Sequence, residues 1–160
     1  MKKMLFSLMA LAAICACQQS GTPVQFNYRG LAFTLPVSQF VDSMLARGFA
    51  VDSVASDSGK TVVLASPAEK YRVLAAFRGD TLTVVQETYV LSTNDSTRQM
   101  WQELRDGLEQ ELGAWPDCPM LKEDHKVANF DAGDGLISVL LENTYTPTLT
   151  VRYTRKAEQK

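Results

Sequence analysis

The stretch YRVLAAFRGDTLTV, Tyr71 to Val84, decides the fold class. Tyr71, Val73, Ala75 and Phe77 fall on one side of an extended chain, because successive side chains point to opposite faces. Arg78-Gly79-Asp80 interrupts the run, and Leu82 and Val84 resume it. A Gly-Asp pair between two such runs marks a two-residue hairpin. Upstream, Val62 and Leu64 alternate with polar neighbours, so Phe49–Tyr89 reads as strand. Before it, Val37, Phe40, Val41, Met44 and Leu45 recur at helical spacing, and Gly48 ends the pattern. Beyond it, Trp101, Leu104, Leu108 and Leu112 share one side of a second helix. Ser96 and Gln99 are spaced as a capping box at its start, and Gly113 and Pro116 close it. Strand then returns at Lys126–Asp131, Leu136–Glu142 and Thr148–Tyr153. The predicted order, β-α-ββββ-α-βββ, is α+β: two helices packed on antiparallel sheet, in a single domain over residues 26–160.

A weak internal repeat overlies this order. Thr81-Leu82-Thr83-Val84 recurs as Thr148-Leu149-Thr150-Val151, and the same offset of 67 carries Val37, Val41 and Leu45 onto Leu104, Leu108 and Leu112. Two similar halves, 26–88 and 89–156, would then share one core. At the level of architecture this resembles the tandem modules of beta-lactamase-inhibitor-protein-like folds and of small outer-membrane assembly lipoproteins. No motif of either family is present, and architecture does not transfer function.

The N-terminus carries a different message. Lys2 and Lys3 precede an uncharged run of eleven residues, Met4–Ile14. As a helix it would reach about 16 Å, against about 30 Å of bilayer hydrocarbon. That length suits the core of a signal peptide rather than a membrane span. Ile14-Cys15-Ala16-Cys17 follows and resembles the lipobox of bacterial lipoproteins, with Cys17 in the modified position. The resemblance implies removal of residues 1–16 and a thioether-linked diacylglycerol on Cys17. Two or more acyl chains anchor stably where one does not. Residues 17–25, from Cys17 through QQSGTPVQ, would form the acylated terminus and its polar tether. Position 18 is Gln rather than the Asp that retains many lipoproteins in the inner membrane. The expected location is therefore the cell envelope, at the outer membrane and facing the periplasm.

Composition narrows the chemistry. The 160 residues carry sixteen Lys and Arg against eighteen Asp and Glu, a net charge of −2. That leaves no basic field for nucleic acid. The hydrolase, metalloprotease and P-loop signatures are absent. Cys118 and the single histidine, His125, are the only material for a thiolate–imidazole pair, and Cys118 reads instead as a half-buried small apolar side chain. Glu87 and Glu142 lie towards the ends of candidate strands and read as solvated carboxylates rather than a catalytic pair. Asp131-Ala132-Gly133-Asp134-Gly135 puts glycine where a calcium loop needs oxygen ligands, so it reads as a tight connection. No catalytic, metal or cofactor residues are expected.

Two kinds of surface site remain. Tyr28, Trp115 and Tyr145 lie near element ends, beside Gly30, Pro116 and Pro147, and could form an exposed aromatic platform. Asp followed by Ser or Thr and a methyl-bearing residue, at Ser43, Ser53, Thr81 and Ser96, resembles an O-glycosylation pattern of exported proteins in some gut anaerobes. The leading reading is a non-enzymatic envelope lipoprotein that binds an envelope protein or polymer. The alternatives are a small-ligand carrier with an apolar cavity, and a hydrolase with a dispersed carboxylate site.

Overall fold

The computed structural model describes residues 26–52, 61–68 and 71–156. A short hairpin, β1 (Asn27–Tyr28) and β2 (Leu31–Ala32), precedes helix α1 (Val37–Ala46). Strands β3 (Ala50–Val51), β4 (Thr61–Ala65), β5 (Tyr71–Arg78) and β6 (Thr81–Val90) follow. Helix α2 (Asn94–Leu112) leads into β7 (Asp117–Lys122), β8 (His125–Asp131), β9 (Gly135–Asn143) and β10 (Pro147–Arg155). Strands β3 to β10 form one antiparallel sheet in the order β3-β4-β5-β6-β10-β9-β8-β7. The fold is α+β, as the periodicities predict. A helix followed by four strands occurs twice, and the last strands of the two units, β6 and β10, pair at the centre of the sheet. The matched tetrapeptides lie in these two strands.

Both helices pack on the same face of the sheet. Phe40 of α1 meets Phe77 of β5 edge-on at 5.9 Å. Trp101 of α2 donates its indole Nε1–H to the Val139 carbonyl of β9 at 3.2 Å. Phe77 and Val139 belong to the buried parity of their strands, together with Leu64, Val73, Leu141, Leu149 and Val151. Each such side chain contributes about 1.5–3 kcal/mol by leaving water. The core therefore lies wholly between helices and sheet. Phe26, just before β1, closes one end by lying flat on Gly135, where any Cβ would run into its ring.

Several local features depart from the sequence expectations, each for a physical reason. Strand β7 is additional: DCPMLK does not alternate, and it forms an exposed edge with Pro119 and a register shift between Asp117 and Met120. An edge strand tolerates proline because it needs no second hydrogen-bonded partner. The cap of α2 is Thr93, not Ser96. Thr93 is extended, and its side chain accepts from the Ser96 N–H at 3.1 Å, so the helix starts earlier. Helix α1 begins after Pro36 with no local cap, and its Val37 N–H donates to Asp80 Oδ1 at 3.1 Å. Gly79-Asp80 forms the predicted two-residue turn and so also serves the distant helix. Finally, an irregularity opposite Ala76 and Phe77 switches the parity of β6. Leu82 is buried, whereas Val84 turns to the other face.

Candidate functional site

Past that switch, Val85, Glu87 and Tyr89 face the core, and Glu87 is only 1% exposed. A carboxylate in that position is costly unless hydrogen bonds replace its water. The β1–β2 hairpin brings the replacements. Tyr28 donates its hydroxyl to Glu87 Oε1 at 2.8 Å, and Arg29 Nε donates to the same oxygen at 2.7 Å. Arg29 Nη2 reaches Oε2 at 3.2 Å, and the Tyr89 hydroxyl donates to Oε2 at 2.7 Å. The guanidinium also lies 5.2 Å from the Tyr71 ring centroid. The hairpin turn places Arg29 at φ +48° and Gly30 at φ +82°. Glycine adopts such a φ freely, whereas arginine does so at a cost of order 1 kcal/mol. The ion pair offsets that cost, as does the 2.8 Å bond from the Gly30 N–H to Asn27 Oδ1.

Burial, and then the charge of Glu87, push the phenols of Tyr28, Tyr89 and Tyr153 above the usual tyrosine range. They therefore stay neutral at ordinary pH, and Tyr28 and Tyr89 serve as donors to Glu87. Burial opposes the Arg29 charge, but the hydrogen bond and charge of Glu87 outweigh it and strengthen its hold on the proton.

Beside this cluster lies a cleft of about 660 Å³. Its walls are the β1–β2 hairpin, the last turns of α2, the β8–β9 turn and strands β9 and β10.

Among the described residues, no helix covers the opposite face of the sheet. Register places Val63, Leu74, Gln86, Arg152, Ser138 and Asn129 in one row across six strands. A neighbouring row runs Arg72, Thr88, Thr150, Leu140, Val127 and Met120. These side chains are half-buried by one another or exposed.

The structure corrects the placement of several sequence candidates. Tyr28 is fully buried at the Glu87 cluster rather than on an exposed platform. Trp115 is 85% exposed and Tyr145 fully exposed, but they lie at opposite ends of the strands and do not form one surface. Glu87 is a buried ion-pair partner and Glu142 an exposed residue of the opposite face, so no carboxylate pair forms. Cys118 packs against the core, while His125 shares the helix-free parity of β8, so no thiolate–imidazole pair forms either. The β8–β9 turn is the expected tight connection: Gly133 has φ +68° and donates its N–H to Asp131 Oδ1 at 3.0 Å. Ser43 bonds the Gln39 carbonyl within α1, and Ser96 is tied to the Thr93 cap. Cys17, Ser53 and the signal and tether segments lie outside the described residues.

Sequence reasoning missed the Glu87 cluster altogether. A signal was present: Val85, Glu87 and Tyr89 share parity in a strand whose apolar phase changes after Leu82. Among the described residues no group of His, Cys, Asp and Glu is arranged to hold a metal ion, and no helix is long and apolar enough to cross a membrane. No protein-family model, curated protein or solved structure matches the chain.

Proposed function

We propose that this chain is a lipid-anchored protein of the cell envelope, a non-enzymatic binding module that presents the helix-free face of its sheet to an envelope protein or polymer. The observation that carries this reading is that face. Eight strands at about 4.8 Å spacing make it roughly 34 Å across. The four longest strands have 8 to 10 residues, about 26–33 Å along the chain. That area suffices for a standard interface of about 800 Å² per partner. Val63, Leu74, Val84, Leu140 and Val127 supply apolar contact. Thr88, Thr150, Gln86 and Arg152 supply hydrogen-bonding groups between them. The anchor would be a diacylglyceryl thioether on Cys17, on the outer membrane and facing the periplasm.

Two experiments test the reading. Metabolic labelling with a fatty acid should mark the wild-type chain and not Cys17→Ala; equal labelling of both excludes the anchor. Crosslinking in intact cells of the native host, followed by mass spectrometry, should recover an envelope component with the wild type and lose it with Leu140→Asp. Recovery that is unchanged by Leu140→Asp excludes the helix-free face as the contact.

A further inference from the structure

We infer that the cleft beside the Glu87 cluster is a binding site for a small uncharged molecule with an apolar body and a carbonyl or hydroxyl acceptor. The inference is independent of the helix-free face, since the cleft lies on the helix side of the sheet. Its volume, about 660 Å³, falls within the roughly 300–1,000 Å³ of ordinary small-ligand sites. Phe26, Leu108, Leu112, Ile137 and the Tyr153 ring give it apolar walls from three elements, α2, β9 and β10, and from the segment just before β1.

Charge selects the ligand class. Arg29, on one wall, is already neutralised by Glu87. Asp131, on another, is held by Lys156 Nζ at 2.8 Å. Among the described residues, the remaining charged wall residue is Glu111, which disfavours an anion. An anionic head would thus meet one carboxylate paired with Lys156, one with no ion-pair partner among the described residues, and a guanidinium whose charge is already matched.

Hydrogen bonding selects the head group. The Tyr153 hydroxyl has no hydrogen-bond partner among the described residues, although its ring is held edge-on to Tyr28 at 5.2 Å. Arg29, which also lines the cleft, uses Nε and Nη2 on Glu87 and Tyr89, so that its Nη1 is not among the atoms bonded to that pair. The guanidinium can only donate, and the phenol can donate as well as accept; Arg29 is held by Glu87, and the Tyr153 ring packs on Tyr28. They fit a neutral acceptor, and the leucines and phenylalanine fit the apolar remainder.

Benzophenone is a suitable probe: it is uncharged, apolar and compact, and it has one carbonyl that both accepts a hydrogen bond and crosslinks under near-ultraviolet light. 4-Benzoylbenzoate has the same body with an added carboxylate. Each would be irradiated with the full-length chain in its native membranes, and adducts mapped by peptide mass spectrometry. The expected result is benzophenone adducts on the peptides holding Leu108, Leu112 and Ile137, at least tenfold above those from 4-benzoylbenzoate. Leu108→Trp, which fills the cleft from α2, should remove them. Ala132→Leu, which fills it from the exposed β8–β9 turn without touching the helix, should do the same if Leu108→Trp fails to fold. Equal labelling by the two probes overturns the charge argument. Labelling that both filled variants retain, or no labelling of these peptides, overturns the site.

Discussion

The two faces of the sheet are made from the same strands and are opposite in character. On the helix side the side chains interlock: Phe40 on Phe77, Trp101 on Val139, and Tyr28, Arg29 and Tyr89 around Glu87. On the other side, among the described residues, the rows through Gln86 and Thr150 have their register neighbours in the sheet and no helix over them. One set of residues specifies the fold, and the other is free to specify a partner. Period-two alternation keeps the two roles apart, since each position belongs to one face only.

Substitutions sharpen this contrast. The largest loss should follow Trp101→Ala, which empties a fully buried site and removes the bond to Val139: about 4 kcal/mol by urea unfolding. Glu87→Ala should cost about 3 kcal/mol, because it strands the tyrosine donors and leaves Arg29 strained without its carboxylate. Arg29→Ala should cost less, about 2 kcal/mol, since its side chain is 46% exposed. The double variant should fall well short of the sum, and additive losses would show that the pair is not coupled.

A pH series probes the same cluster without mutation. Tyr28, Tyr89 and Tyr153 have folded-state pKa values raised by burial, whereas tyrosines in the unfolded chain ionise near pH 10. Their contribution is intact below about pH 10 and declines as the pH rises beyond it. The urea midpoint should therefore fall steeply between about pH 10 and 12, and less steeply in Tyr28→Phe. A midpoint independent of pH over that range would remove the tyrosines from the account. The smallest effect is expected on the other face: Leu140→Asp should change stability by no more than about 1 kcal/mol while abolishing partner binding.

How much of this was legible in the sequence follows the range of each interaction. The hairpin at Gly79-Asp80, the helical faces and strands β8, β9 and β10 rest on contacts a few residues apart, and their spacing exposes them. Asp80 capping α1 from 43 residues away does not show in any local pattern. Strand β7 lacks alternation because an exposed edge has no face to bury. Tyr28 reads as a surface aromatic because its turn, with Gly30 beside it, resembles any exposed hairpin; what holds it inside is the hydrogen bond to Glu87, 59 residues distant, and ring contact with Phe40 and Tyr153. Trp115 and Tyr145 are exposed, and only the register shows them at opposite ends of the strands.

The most direct test of the account is site-specific photocrosslinking in intact cells. A photoreactive amino acid would be placed at position 140 on the helix-free face, and in a second strain at position 102 on the exposed side of α2. The account predicts a discrete higher-mass adduct from position 140 and none from position 102. An adduct from position 102 alone, or none from either, would contradict the claim that the uncovered sheet is the binding surface.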